Sequence, residues 1–322
     1  MLESTKPNIV ISKCLGFANC RYDGSIVMDE TVSRLKPYVN YIPICPEIEI
    51  GLGVPRDPIR IVNFGGKLYL YQPTTKRDIT KEMLSFVNSY LNSLSDIDGF
   101  ILKYRSPSCG INSTKIYHSF DDNARTTVGA GFFGSEIIKR FIGTAIVDEG
   151  KLKNFSIREY FFTKIFTLAH FRLVKKKRSI NELIKFHTVN KLLFMAHNQT
   201  KLRELGKIVA DHNKHNQAVV FSNYESKLFE LLSKKPSFSS WINVLMHAFG
   251  GVSEKLTKHE RQFFLNLIED YRDERIPLSV LIKLLFSWAI RFQDHYLLSQ
   301  TFLNPYPKEL IEITDSGKGR NH

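Results

Sequence analysis

Three of the four cysteines stand just past short apolar runs that read as strands. Cys14 follows residues 8–12 (NIVIS), Cys45 follows 39–44 (VNYIPI), and Cys109 lies seven residues beyond 99–102 (GFIL). If those strands are neighbours in a parallel sheet, their carboxyl ends line one crevice, and such crevices bind ligands. Thiols 31 and 64 residues apart in sequence then converge in space. Three thiolates are ligands for an iron–sulfur cluster or for zinc. A cluster held by three cysteines keeps one iron without a protein ligand, free to act as a Lewis acid. Cys20 as a fourth ligand would close the cluster. Neither a Cys-x-x-Cys pair nor a ferredoxin-type run occurs, and zinc would call for a fourth ligand such as His118, the single histidine before residue 150. The plainer reading makes each cysteine a small core residue. Core cysteines more often lie inside elements than just past them.

The segments around these cysteines have loop composition. They run from Ser12 to Gly24, from Cys45 to Arg56 and from Lys103 to Gly110, mixing Gly and Pro with charged and hydroxyl residues. Loops over a rigid sheet are where sites are built. The elements that must position them alternate in the first half. Helical stretches at 28–35, 79–94 and 132–141 separate strand-like runs, and runs at 59–63 and 68–72 flank Gly65-Gly66 as a hairpin. Strands interleaved with helices imply an α/β layer with a largely parallel sheet. After residue 150 the pattern is helical throughout: 157–173, a Ser179-x-x-Glu182 capping box opening 183–195, then 224–232, 241–249, 254–271 and 278–292. His187 and His197 fall in that apolar helical pattern and read as packed side chains rather than metal ligands.

The chain has 322 residues, 43% hydrophobic and 24% charged, ample for two domains and unlike a disordered chain. Its first residues carry no secretory pattern, and its longest apolar run, near 280–290, is interrupted by Lys283. A soluble, cytoplasmic protein without membrane contact is expected. The net charge of +13 is uneven: residues 1–150 carry a balance of +1 and residues 151–322 a balance of +12. Such a basic half is suited to RNA or another polyanion, or is simply a solvated helical surface.

Taken together, the three segments resemble the thiouracil desulfurase (TudS-like) family. The shared pattern is Ser12-x-Cys14-Leu15 running into Cys20-Arg21-Tyr22-Asp23-Gly24, then Cys45-Pro46-Glu47 with Gly51-Leu52 and Pro55-Arg56, then Ser106-Pro107-Ser108-Cys109-Gly110. Lys13, Leu15-Gly16 and Gly53 depart from its commonest form. The second half, at 183–187 and 191–197, resembles the YbgA-like domain. The resemblance implies a Rossmann-like α/β domain at 1–155, a helical connector at 156–180, an all-α YbgA-like domain at 181–314 and a tail at 315–322. It also implies a [4Fe-4S] cluster on Cys14, Cys45 and Cys109, with Glu47 and Ser106 as catalytic residues. Arg21, Asp23 and Ser108 are expected against the substrate, a small thiopyrimidine or a thiolated base in RNA. Glu47 pairing with Arg56, Ser106 setting a turn and an Arg21–Asp23 ion pair are the structural alternatives. An RNA- or partner-binding protein with a structural or redox-sensing cluster is the alternative function.

Overall fold

The structure, a computed structural model, describes residues 5–312, so the expected tail lies outside the described residues. Nine strands occur among them: β1 Asn8–Ser12, β2 Asn40–Ile44, β3 Arg60–Phe64, β4 Lys67–Gln72, β5 Arg77–Asp78, β6 Gly99–Leu102, β7 Thr114–Tyr117, β8 Thr126–Gly129 and β9 Ala145–Asp148. The helices of the same half are α1 Glu30–Leu35, α2 Pro46–Glu49, α3 Thr80–Ser93, α4 Phe132–Arg140 and α5 Glu149–Leu152, followed by α6 Phe155–Lys177. The described residues divide into two compact units, one running to Ala169 and taking up 307–312, the other His170–Tyr306.

In the first unit, β2, β1, β6 and β9 form a wholly parallel sheet in that order. The two central strands consist of residues suited to burial on both faces: Ile9, Val10 and Ile11 in β1, and Phe100, Ile101 and Leu102 in β6, are all fully buried. Pro43 lies in β2, which is an edge strand where the missing N–H costs no ladder bond. On α3, Met83, Val87 and Leu91 recur every four residues and form its buried stripe. They join one core with Phe100, Phe133 and Ile137.

The expected parallel sheet forms, but five of the nine strands lie outside it. The hairpin over Gly65-Gly66 forms as β3 and β4, yet it belongs to a second, mixed sheet of order β5-β4-β3-β7-β8. Its strands β7 (TKIY) and β8 (TTVG) are short, partly exposed and rich in threonine, so no apolar run announced them.

The loop that carries Cys109 is fastened to α4 through backbone alone. The amides of Gly131, Phe132, Phe133 and Gly134 donate to the carbonyls of Gly110, Pro107, Ser108 and Ser108 at 2.8, 3.1, 2.9 and 3.0 Å. That approach needs residues without a side chain. A Cβ on Gly134 would stand 2.3 Å from the Gly110 oxygen, and one on Gly131 would stand 2.4 Å from the Ser108 oxygen.

The second unit is helical: α7 Ile180–Val189, α8 Lys191–His197, α9 Gln199–Ala210, α10 Gln217–Leu231, α11 Phe238–Ser253, α12 Lys258–Arg272, α13 Leu278–Arg291 and α14 His295–Ser299. The expected run 183–195 breaks at Asn190 into α7 and α8. Buried Asn190 turns its amide back to the Phe186 carbonyl (2.8 Å) and accepts from Thr301 Oγ1 (2.7 Å). Ser179 caps α7, but Glu182 pairs with Lys177 (3.1 Å) instead of completing the box; the reciprocal box forms at Thr257 and Glu260. No helix of the described residues is long and apolar enough to cross a membrane.

Two tests follow from these contacts. Gly134→Ala is expected to lower stability by about 1–3 kcal/mol through forced overpacking against backbone. Gly251→Ala, exposed on α11 with open space around it, should gain about 0.5–1 kcal/mol from helix propensity. Equal and small effects in urea titrations would refute the backbone clamp. In the second unit, burial pushes the His170 and His187 imidazoles down to about 4. The unfolded chain takes up protons below about pH 6.5 that the folded chain refuses. Stability should therefore fall as pH drops from about 6.5 toward 4. Fluorescence of Trp241 and Trp288, both in this unit, reports it, and a flat midpoint over that window would refute the burial of these rings.

Candidate active site

The carboxyl ends of β1, β2 and β6 lie side by side because β1 pairs with β2 on one edge and β6 on the other. The chain therefore leaves adjacent strands in one direction and delivers three cysteine loops to one edge of the sheet. The first loop is tied to the second by Lys13 N donating to the Ile44 carbonyl (2.8 Å) and Arg56 N donating to the Tyr22 carbonyl (2.8 Å). Cys45 is the N-cap position of α2, directly ahead of Pro46 and Glu47.

All four cysteines are free and buried, Cys14 9% exposed, Cys20 5%, Cys45 8% and Cys109 5%. Cys20 hydrogen-bonds both Cys14 and Cys45, and Coulombic coupling reaches Cys109 from Cys45 and Glu47. The Cys45 thiol also lies 3.9 Å from the Cys20 carbonyl oxygen. The bond to Cys14, with burial behind it, pushes the Cys20 thiol up to about 11 against an opposing bond from Cys45. Cys45 is raised by its bond to Cys20 and by burial. Burial also raises Cys109, opposed by hydroxyl hydrogen bonds from Ser12 and Ser106.

Around the thiols runs a polar network. Glu47 pairs with Arg56 through Oε2 and accepts the Ser108 hydroxyl through Oε1 at 2.9 Å. Arg56 also donates to the carbonyls of Cys20 (3.1 Å) and Gly53 (3.0 Å), so one guanidinium joins the first two loops, and its Nε is buried with no partner. Ser106 Oγ accepts from the amides of Ser108 (3.2 Å) and Cys109 (3.0 Å), which shapes the turn that presents the third cysteine. Ser12 Oγ accepts from Lys103 N at 2.9 Å, tying β1 to the start of the third loop.

The expected Arg21–Asp23 ion pair is not what forms. Ser25 stands between them, accepting from Arg21 Nη1 (3.0 Å) and donating to Asp23 Oδ1 (2.6 Å), because a turn of five residues satisfies both side chains through the hydroxyl. His118 lies away from the thiols in chain and contact, exposed and bonded to Thr127 (3.2 Å). His187 and His197 are satisfied by Tyr224 and by the Lys234 carbonyl. Sequence reading passed over Ser12, the joining role of Arg56 and the glycines of α4. The run Gly131-Phe132-Phe133-Gly134 was the available signal for the last.

Among the described residues no group of three or more His, Cys, Asp and Glu side chains is drawn tightly enough around one point to hold a single metal ion. A cluster does not ask for that, since its thiolates sit at separate corners. Four buried thiols free of disulfides, on loops backed by hydroxyl donors to sulfur, are a donor set that fits an iron–sulfur cluster.

Residues 9–149 match the family described as 2-thiouracil desulfurase, and residues 191–307 match that described as protein of unknown function (DUF1722). The protein YbgA of Escherichia coli (strain K12) is 30% identical over 156 residues, covering 48% of this chain and 92% of its own length. YbbK of Bacillus subtilis (strain 168) is 30% identical over 154 residues, covering 45% of this chain and 98% of its own. A solved structure described as the [4Fe-4S]-dependent thiouracil desulfidase TudS is 26% identical, covering 46% of this chain and 93% of that one, with a TM-score of 0.37. The chain thus belongs in its first half to the 2-thiouracil desulfurase family and carries in its second half a DUF1722 region.

Proposed function

We propose that this protein is an iron–sulfur-dependent desulfurase acting on a thiolated pyrimidine such as 2-thiouracil. The observation that carries the reading is the gathering of Cys14, Cys45 and Cys109 around Glu47 at one edge of the parallel sheet, in a chain of the 2-thiouracil desulfurase family. We read residues 1–155 as the Rossmann-like catalytic domain and 181–314 as a YbgA-like domain.

The reaction exchanges a carbon–sulfur bond for a carbon–oxygen bond. Water adds to the ring carbon and sulfur leaves as hydrosulfide, with no net electron transfer. A [4Fe-4S] cluster on Cys14, Cys45 and Cys109 would supply a soft Lewis acid for the substrate sulfur at the iron without a protein ligand. Glu47 takes the proton from the attacking water. Its carboxylate is fixed on one oxygen by Arg56 and on the other by Ser108, so its free lone pairs have a set direction. Ser108, with its hydroxyl committed to Glu47, positions that carboxylate. Ser106 accepts from two amides and turns its hydroxyl toward Cys109, a position beside the sulfur that suits holding the ring or relaying a proton. Arg21 and Asp23, locked through Ser25, shape the rim of the first loop.

A second reading, a thiolated base carried in RNA, is favoured by the +12 balance of residues 151–322. Phosphate contacts would make turnover of thiolated RNA fall by orders of magnitude between about 50 and 200 mM salt. Turnover of free 2-thiouracil would not change in that way.

Anaerobic reconstitution with iron and sulfide tests the centre. About four irons per chain are expected in the wild type and in Cys20→Ala, with loss in Cys14→Ala, Cys45→Ala and Cys109→Ala. Equal loss in Cys20→Ala, or no iron in any of them, would overturn the open-iron reading. With iron retained, Glu47→Gln should slow sulfide release by roughly 10²–10⁴-fold. The Glu47–Arg56 pair has its own test. Both side chains are largely buried, 13% and 4% exposed, and removing one member of a buried pair costs about 3–5 kcal/mol. Arg56→Met should therefore lower urea stability by about that much, and adding Glu47→Gln should recover part of it. No loss in Arg56→Met would show that the pair does not join the loops.

A further inference from the structure

The second unit has a cleft of its own, about 390 Å³, lined from α7, α8, α9 and α11. Its floor is apolar: Leu202 is buried and Met195 partly so. Its rim is cationic. Lys191 and Arg203 line it, both exposed and neither with a hydrogen-bond or ion-pair partner among the described residues. Gln199 and His247 add donors, and no carboxylate lines the cleft. Glu204, the acid nearest in sequence on α9, is held by Lys201 and Lys227 at 3.2 Å each. Elsewhere in this unit some surface cations meet acids, as Lys175 meets Glu225 (2.6 Å) and Arg291 meets Glu260 (2.6 Å). What sets Lys191 and Arg203 apart is their place, two cations on one apolar cleft that no acid lines.

His187 reaches the same cleft. Its Nδ1 lies 3.1 Å from the hydroxyl of fully buried Tyr224. Burial holds its imidazole near 4, so the ring is neutral at pH 7. We assign the tautomer in which Tyr224 donates to Nδ1, which puts the ring hydrogen on Nε2. Gly206 keeps the space in front of that nitrogen open. A Cβ there would stand 3.7 Å from His187 Nε2, and a glycine inside a helix is otherwise about 1 kcal/mol worse than alanine.

We infer that this cleft binds a small organic phosphate, its apolar or flat body on Met195 and Leu202 and its dianion between Arg203 and Lys191, with Nε2–H of His187 as a neutral donor. Two permanent cations match a dianion better than a monoanion, and the fork of Arg203 suits phosphate oxygens. The site is independent of the thiol centre and needs no iron.

Calorimetry on the full chain with phenyl phosphate, inorganic phosphate and benzoate tests it. Phenyl phosphate should bind saturably, at least tenfold tighter than inorganic phosphate, which lacks the body, and at least tenfold tighter than benzoate, which lacks the second charge. Arg203→Glu and Gly206→Leu should each weaken it tenfold or more. Lys207→Glu, on the same helix outside the cleft, should leave it within twofold. Gly206→Ala improves helix propensity and keeps the fold, and it should weaken binding less than Gly206→Leu. In the wild type the His187 imidazole nitrogen resonances should move on binding. Absence of saturation, equal losses in Lys207→Glu and Arg203→Glu, or unchanged binding in Gly206→Leu would each overturn the site. A short RNA that binds equally well to Gly206→Leu, with no competition from phenyl phosphate, would also overturn it. The cationic rim would then be part of a polyanion surface.

Discussion

β1 is hydrogen-bonded along both edges, to β2 on one side and to β6 on the other, and all three cysteine loops hang from that pairing. Parallel pairing is what gives the three strands a common exit edge. An antiparallel neighbour would send one loop to the opposite end of the sheet. The pairing is secured by burial rather than by the site: Ile9, Val10, Ile11, Phe100, Ile101 and Leu102 exclude water from both faces. The thiols contribute little to holding the strands, so the scaffold and the chemistry are separable. Loops can vary while the edge that presents them stays fixed.

Loops delivered to one edge still need to be held at the right distance from each other. Two devices do this, and they differ in kind. Arg56 works across side chain and backbone, reaching Glu47 and the carbonyls of Cys20 and Gly53 from one guanidinium. The third loop is fastened to the start of α4 by backbone bonds, pressed close where Gly131 and Gly134 allow it. Both leave the thiols and the Glu47 carboxylate on a rigid rim.

The centre of the parallel sheet was legible because β1 and β6 are apolar runs buried on both faces, and because the cysteines fell past the strand ends. α3 was legible from the four-residue spacing of Met83, Val87 and Leu91. The second sheet was not, since β7 and β8 are half-exposed strands whose threonines carry no apolar period. The break at Asn190 was hidden for the opposite reason: the apolar pattern runs straight through it, and the turn rests on side-chain bonds of a single asparagine. At the site, the strand ends pointed to the cysteines, while Glu47 and Ser106 came from the family resemblance. Of the network, the Glu47–Arg56 pair was within reach and the rest was not. That Ser25 stands between Arg21 and Asp23, or that Arg56 spans two loops, depends on turn geometry that composition does not encode.

The second sheet has a consequence for how the protein comes into being. β3, β4 and β5 lie between β2 and β6 in the chain, and β7 and β8 lie between β6 and β9. Strand β1 must therefore wait for a partner about 90 residues downstream, a non-local closure of the slow kind. At synthesis rates of roughly 5–20 residues per second, Cys109 follows Cys14 out of the ribosome by roughly 5–20 s. During that interval Cys14, Cys20 and Cys45 are thiols on an unfinished sheet, exposed to oxidation and to stray metal. A cell making this chain has to keep those sulfurs reduced for the length of one translation event.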